Sequence, residues 1–198
     1  MITAYIDFKS LDCLLAMGPI LQLAADCGTP VSCQPYRSKE RALPTQVISE
    51  SVTQTHHRVR VESERRLQQH YADLRGLDID PRRGQMDTSA ALCWLASLEG
   101  DTSSFASRLF AAHWIDHTDI NNPTFLEKLT ANCGLTRMRN AVDLDSIERE
   151  AEEKGLFDAP TFFIKGHMFT GRAHIPLMRQ LLSDAGDPHA GRGRVVYS

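Results

Sequence analysis

The chain has 198 residues, of which 42% are hydrophobic and 24% are charged, as in a globular protein with one large domain or one domain carrying a second. A formal net charge of −3 with neutral histidines excludes the global basic field that recruits nucleic acid. No apolar run approaches the roughly 20 residues that span a bilayer, and the N-terminus lacks a signal-peptide pattern. We therefore expect a cytoplasmic protein without membrane or nucleic-acid partners.

The first 37 residues predict a strand, a helix and a second strand. Residues 3–8 are rich in β-forming and aromatic side chains, and residues 11–27 carry apolar side chains at helical spacing up to Gly28. The stretch "TPVSCQPY" favours a strand whose prolines suit the edge of a sheet.

Residues 38–150 lack convincing strand patterns and predict a helical insertion. The charged segment "RVRVESERRLQQHYADLRG" is typical of an amphipathic helix with Leu67, Tyr71 and Leu74 on one face. A further helix begins after Asn122, which suits an N-cap and is followed by proline.

The chain then returns to α/β structure over residues 151–186. A helix over "DSIEREAEEKG" has Asp145 and Glu148 at capping-box spacing. The stretch "APTFFIKGHMFTG" predicts a hairpin with a Lys-Gly turn, and a last helix follows. The polar tail, residues 187–198, is expected to be loose.

This order predicts an α/β fold of the thioredoxin-like type with an inserted all-helical domain. The strand–helix–strand start and the helix–hairpin–helix end form one domain, and the helices lie between them. The predicted boundaries are 1–37 and 151–186 for the two parts of the thioredoxin-like domain, 38–150 for the helical domain and 187–198 for the tail.

Five cysteines are present at irregular spacings that match neither a zinc site nor a disulfide framework. In a reducing compartment we expect most of them to be small buried hydrophobic residues. His113 and His117 stand one helical turn apart, a spacing that can bind a metal, but Trp114 stands where a zinc-protease helix has glutamate. We predict no metal site. The cysteines are Cys13, Cys27, Cys33, Cys93 and Cys133.

Three stretches resemble one known family. "YIDFKSLDCLLA", "FAAHWIDHTDINNPTFLEKLTANCGL" and "EEKGLFDAPTFFIKGHMFTG" are similar to segments of 2-hydroxychromene-2-carboxylate isomerases and kappa-class glutathione transferases. The resemblance covers nearly the whole chain, and the last stretch is its most specific part. It implies a DsbA-like fold, a glutathione cofactor and a homodimer. In the family a serine replaces the redox cysteine and faces the glutathione sulfur, and Ser10 holds that position here.

Ser10 and Cys13 stand where a dithiol enzyme has its two cysteines. The first cysteine of such an enzyme attacks as a thiolate, which the helix N-terminus favours. A serine hydroxyl can instead donate a hydrogen bond to the thiolate of glutathione, whose charge the same helix favours. Ser10 also suits an ordinary N-cap, and the two roles are compatible. Cys13 is interpreted as a buried helix residue or, alternatively, as a substrate contact.

The resemblance also indicates where the rest of glutathione binds. Ala159 and Pro160 resemble the cis-proline segment of thioredoxin-like proteins, which can pair with an extended peptide. We predict a cis bond there, facing Ser10 across a cleft. Gly171 and Arg172 follow the hairpin and are predicted to contact the cofactor.

The block after the hairpin departs from the family. Thr170 replaces an aromatic residue, and Ala173 replaces the aspartate that commonly holds the amino group of glutathione. Arg172 can still hold a carboxylate. The family's usual contact to the amino group of glutathione is therefore missing here.

Arg58 and Arg60 are the remaining candidates for substrate binding. Their guanidinium groups could contact a substrate carboxylate from the helical domain. The favoured interpretation is a solvated helix in which Glu62 and Glu64 balance their charge.

The predicted function is a glutathione-dependent isomerase of the 2-hydroxychromene-2-carboxylate isomerase type. It would act on a small conjugated substrate from aromatic catabolism by reversible thiolate addition. The alternatives are a kappa-like glutathione transferase, a DsbA-family thiol–disulfide oxidoreductase, which Ser10 disfavours, and a non-catalytic ligand-binding or dimerisation module.

Overall fold

The protein is described by a computed structural model that covers residues 1–38, 51–138 and 142–183. The predicted tail, residues 187–198, lies outside the described residues, as do parts of the predicted helical domain. The boundaries predicted between domains remain predictions.

Within these ranges the chain forms six strands and seven helices. The strands are β1 (Ile2–Ile6), β2 (Val31–Pro35), β3 (Leu98–Glu99), β4 (Thr136–Arg137), β5 (Thr161–Ile164) and β6 (His167–Thr170). The helices are α1 (Leu11–Asp26), α2 (Val52–Leu74), α3 (Ser89–Ala96), α4 (Ser103–Trp114), α5 (Pro123–Asn132), α6 (Leu144–Glu153) and α7 (Ile175–Ser183).

The main sheet has four strands in the order β2-β1-β5-β6. β1 pairs with β2 in parallel and with β5 antiparallel, and β5 pairs with β6 across the hairpin. Strand β2, which ends at Pro35, lies at the edge of the sheet, as the sequence predicts. A proline has no N–H to donate to a ladder, so it suits an edge strand. The register places Tyr5 beside Thr161, so the C-terminal end of β1 lies next to the start of β5.

A short second sheet corrects the prediction that no strands occur between residues 38 and 150. β3 and β4 pair antiparallel, with Leu98 opposite Arg137 and Glu99 opposite Thr136. Each strand has two residues, too few to show the period-2 alternation by which a strand is recognised in sequence.

Helix α2 has its predicted apolar residues on the solvent side. Leu67 and Leu74 are 52% and 69% exposed, and Tyr71 is 37% exposed. The buried side chains of α2 are instead Val61 and Ala72. The apolar side chains from which the helix is predicted therefore do not form the face of α2 that packs against the rest of the chain.

Helix α6 begins differently from its predicted capping box. The N-cap is Asp143, whose carboxylate accepts hydrogen bonds from the amides of Asp145 and Ser146. Glu148 instead accepts from the backbone amide and the guanidinium of Arg37. The capping box predicted from local spacing is wrong, because Glu148 is bound by Arg37, 111 residues away in the chain.

One hydrophobic core joins the sheet to the inserted helices. It includes Ile6 and Phe162 from the sheet, Ile20 from α1 and Phe110 from α4. None of the described helices combines the length and the apolarity needed to cross a membrane.

Candidate functional site

Ser10 begins α1 beyond the C-terminal end of β1. Its backbone is extended, with φ −84° and ψ 115°, and its Oγ accepts a hydrogen bond of 3.3 Å from the Cys13 amide. The Ser10 amide donates to the Asp7 carbonyl oxygen at 3.1 Å. Ser10 is thus an N-cap. The cap uses only an oxygen lone pair, and the hydroxyl proton, which also interacts with the Cys13 thiol, can be donated to an acceptor.

Cys13 is completely buried in the first turn of α1. Its Sγ accepts a weak hydrogen bond of 3.5 Å from the Asp7 amide. Burial raises the pKa of this thiol well above its ordinary value, and the charges of Asp7 and Asp12 raise it further. A protonated thiol is a poor nucleophile. Cys13 therefore has the properties of a core residue rather than of a reactive thiol.

Asp7 is a buried carboxylate that the sequence analysis did not single out. Its Oδ1 accepts hydrogen bonds from the Thr88 hydroxyl at 2.9 Å and the Lys9 amide at 3.2 Å. Its Oδ2 accepts from the amide and the hydroxyl of Ser38 at 2.7 and 2.8 Å. Together these bonds fix the loop that leads into Ser10. The one signal in the sequence is a carboxylate between the apolar residues Ile6 and Phe8.

Pro160 lies at the same end of the sheet as Ser10. The Ala159–Pro160 bond is cis, as the sequence predicts, and Ala159 is buried. The Gly171 amide donates a hydrogen bond of 2.8 Å to the Pro160 carbonyl oxygen. Gly171 has φ 75°, a backbone conformation that glycine adopts without the steric cost of a Cβ. The turn after β6 is thereby tied to the proline, and Arg172 follows in that turn.

Helix α2 approaches this end of the sheet. The Gln68 side-chain amide donates a hydrogen bond of 2.7 Å to the Asp12 carboxylate in the first turn of α1. One turn further along α2, the ring of Tyr71 lies 3.8 Å from the guanidinium carbon of Arg172, a cation–π contact. The helix therefore bridges the start of α1 and the turn after β6.

The two positions that depart from the family have different surroundings. The Thr170 hydroxyl lies 3.3 Å from the Thr161 hydroxyl, which donates its own proton to the Asp158 carbonyl oxygen, so Thr170 donates to Thr161 and supports the hairpin. Ala173 is exposed and offers no charge to an amino group.

Arg58 and Arg60 do not join this group of residues. Arg58 pairs with Glu62 at 3.1 Å and Arg60 pairs with Glu64 at 3.0 Å, each one helical turn apart. This is the balanced helix that the sequence analysis favours. At a rise of about 1.5 Å per residue, Arg58 lies roughly 15 Å along α2 from Gln68.

The two histidines of the HWIDH stretch do not converge. The Nε2 of buried His113 lies 3.0 Å from the Arg83 carbonyl oxygen, and His117 is exposed with φ 54°. Within residues 1–38, 51–138 and 142–183, no group of three or more histidine, cysteine or acidic residues could hold a metal ion.

Solved structures share this architecture at low sequence identity. A structure of selenomethionine-labelled 2-hydroxychromene-2-carboxylate isomerase superimposes with a TM-score of 0.63, at 16% identity, over 93% of this chain and 95% of that chain. The cytosolic disulfide reductase DsbM from Pseudomonas aeruginosa, with GSH, superimposes with a TM-score of 0.50, at 17% identity, over 93% and 98%. No protein-family model matches the sequence, and a comparison with curated proteins found no significant match. The chain therefore has the fold that the sequence predicts, a thioredoxin-like α/β fold of the DsbA-like type with helices inserted.

Proposed function

We propose that the protein is a glutathione-dependent isomerase of the 2-hydroxychromene-2-carboxylate isomerase type, with the cofactor sulfur held at Ser10. One observation carries this proposal. A serine hydroxyl, rather than a thiol, caps α1 at the sheet end where Pro160 lies, and the nearest thiol, that of Cys13, is buried. Thiol chemistry at this site would need a sulfur from outside the chain.

The residues present fit two polar groups of glutathione, the thiol and a carboxylate. The Ser10 hydroxyl can donate to a sulfur while it accepts from the Cys13 amide. The Nη1 atom of Arg172 is buried and has no hydrogen-bond partner, a state that a carboxylate would relieve. The amino end finds no carboxylate at Ala173. The similar isomerase and the reductase with GSH are consistent with this assignment.

When bound, glutathione supplies a thiolate that adds reversibly to a conjugated double bond, so that the bond can rotate before the thiolate leaves. The protein supplies position and charge. Ser10 stabilises the sulfur anion, and the fixed loop over Asp7 keeps that hydroxyl at the start of α1. Arg172 orients a carboxylate next to Pro160. The Asp12 carboxylate, in the first turn of α1, accepts a hydrogen bond from Gln68, which directs it toward α2.

Calorimetric titration with glutathione tests the cofactor. Wild type is expected to bind weakly because Ala173 has no charge for the ammonium group. Ala173→Asp should tighten binding if the usual pose is retained and Arg172 does not neutralise the new carboxylate. Ser10→Ala should lower turnover more than it lowers binding, by about ten- to a hundredfold, since a hydrogen bond to a charged group is worth roughly 1.5–3 kcal/mol.

Three outcomes would count against the proposal or part of it. If none of the three proteins binds glutathione at millimolar concentration, the cofactor assignment fails and a ligand-binding module is favoured. If wild type binds tightly, the interpretation of Ala173 is wrong. If chromatography of the reaction with 2-hydroxychromene-2-carboxylate finds a stable glutathione adduct in place of an isomer, the protein is a transferase.

The proposal includes a cytoplasmic homodimer. On α2, Val59, Leu67 and Leu74 follow one another at intervals of eight and seven residues and are 52%, 52% and 69% exposed, which places them on one side of the helix. A stripe of this kind suits an interface with a second copy. Leu67→Glu should give monomers in sedimentation velocity, and an unchanged mass would exclude this stripe as the interface.

A further inference from the structure

Two arginines stand near each other in the fold, one at the end of α2 and one in the turn after β6. Arg172 stacks on the ring of Tyr71 at 3.8 Å, and its Nη1 atom is buried without a hydrogen-bond partner. Arg75, four residues after Tyr71, caps the C-terminus of α2. Residues four apart are neighbours on a helix surface, so Arg75 lies on the side of α2 that Arg172 contacts.

The two positive charges act on each other. Arg75 is an exposed residue whose partial desolvation lowers its pKa, and the charge of Arg172 lowers that pKa further. Within the described ranges, no carboxylate forms an ion pair with either guanidinium. The negative end of the α2 dipole favours one cation at Arg75. It does not account for the second positive charge, that of Arg172, which opposes the first.

We propose that Arg75 and Arg172, backed by the Tyr71 ring, form a carboxylate-binding subsite next to Pro160. Guanidinium groups bind carboxylates through paired hydrogen bonds, and the unpartnered Nη1 of Arg172 supplies one buried donor. The hydrogen bond from the Gly171 amide to the Pro160 carbonyl holds this subsite at the sheet end where Ser10 lies. The source of the carboxylate rests on the proposed function: it belongs either to glutathione or to the organic substrate.

The test compares Arg75→Gln and Arg172→Gln with Arg66→Gln. Arg66 is an exposed residue nine positions before Arg75, which places it on the opposite face of α2. Two probes are titrated by calorimetry, glutathione and benzoate, and glutathione ethyl ester serves as the analogue without a glycyl carboxylate. We expect Arg75→Gln and Arg172→Gln each to weaken binding of at least one probe roughly ten- to a hundredfold, and Arg66→Gln to leave both unchanged.

Thermal unfolding without ligand separates a binding role from a structural one. Arg172→Gln loses the cation–π contact with Tyr71, and Arg75→Gln loses a favourable charge at the C-terminus of α2. Each substitution also removes the repulsion between the two charges, so we expect Tm without ligand to change only slightly. Each should instead reduce the rise in Tm that the bound probe gives the wild type. A lower Tm in the absence of ligand, with an unchanged probe affinity, would make the two residues structural and would overturn the subsite.

The probes distinguish this proposal from the glutathione assignment. If benzoate binding depends on both arginines and glutathione does not bind, the subsite stands and the cofactor assignment fails. If the affinity of wild type for glutathione ethyl ester is as low as the affinity of Arg172→Gln for glutathione, the group bound at the subsite is the glycyl carboxylate. Two outcomes would refute the subsite. In the first, glutathione binding depends on Ser10, but neither arginine variant changes the affinity for glutathione or for benzoate. In the second, neither glutathione nor benzoate binds the wild type at millimolar concentration.

Discussion

The Asp7 carboxylate accepts a hydrogen bond of 2.9 Å from the Thr88 hydroxyl, although the two residues are 81 positions apart in the chain. Thr88 is the N-cap of α3, and Asp7 follows directly after β1. The same carboxylate accepts two bonds from Ser38 beyond β2. Three separate parts of the chain thus meet at one buried group, three residues before Ser10.

We predict that Asp7→Asn destabilises the protein. An asparagine has one acceptor oxygen and one NH2 group in place of the two oxygens, so a donor of Ser38 or Thr88 would face another donor. The expected loss is about 1.5–3 kcal/mol in the free energy of unfolding, the magnitude for hydrogen bonds to a charged group. Urea denaturation followed by circular dichroism measures it. Asp116→Asn, at an exposed carboxylate, is the control and should stay within about 0.5 kcal/mol of wild type. Equal midpoints for the two variants would contradict the role of Asp7.

A second prediction concerns disulfide chemistry. Wild type should show background rates of insulin reduction, because Ser10 supplies no attacking sulfur. Ser10→Cys should gain measurable activity, since it places a thiol at the helix N-terminus, where a thiolate is favoured, three residues from Cys13. Ser10→Ala is the matched control and should remain at background. Robust reduction by wild type would place the protein among the oxidoreductases.

The third prediction is that Cys13 resists alkylation in the folded protein. Each unit by which the pKa of a thiol exceeds its ordinary value lowers the thiolate fraction about tenfold at a given pH, and burial blocks access as well. Iodoacetamide labelling followed by peptide mass spectrometry should find Cys27, which is only half-buried, modified long before Cys13. In urea the two should react at similar rates. Comparable labelling of both in the native state would show that Cys13 is accessible.

Tyr36 provides a prediction for stability against pH. Burial, with the nearby charge of Glu152, raises the pKa of Tyr36 to about 12, and its hydroxyl donates to Glu152 at 3.2 Å. The folded state therefore holds a proton that the unfolded state loses at its ordinary pKa. This contribution is fully present below about pH 10 and is lost as pH rises toward 12, at about 1.4 kcal/mol per pH unit.

The control for this effect is Tyr36→Phe. The variant should be less stable than wild type near neutral pH because Glu152 loses a donor, and the difference should shrink between pH 10 and 12. Absorbance at 295 nm should also lose a late-titrating component. A constant difference in stability across that interval would show that Tyr36 ionises as easily in the folded protein as in the unfolded chain.

The parts of the fold that sequence could predict are those with local causes. The Ser10 cap, the helix of α1 and the hairpin around Lys165 each depend on residues within a few positions of one another. The cis bond before Pro160 was predicted from the family resemblance rather than from base rates. Local spacing failed at α6, where Asp143 rather than Asp145 is the cap, because several acidic residues offered the same signal.

The parts of the site that sequence could not predict depend on distant partners. Asp7 gains its hydrogen bonds from Ser38 and Thr88, and Arg172 meets Tyr71 only when α2 folds over the sheet end. Nothing in the neighbouring residues marks these pairs. The sequence likewise does not show that the apolar stripe on α2 is exposed, because periodicity identifies an apolar helix face but not whether another element covers it.

The hydrogen bond from the Trp114 indole to the Phe8 carbonyl oxygen, 2.8 Å long and fully buried, makes α4 part of the wall behind Ser10. We therefore expect that the inserted helices cannot be deleted to leave a stable thioredoxin-like domain. Their removal would delete the hydrogen bond from Trp114 that holds the loop before Ser10. Any circular permutation or domain graft of this protein has to carry α4 along with β1, however far apart they are in the gene.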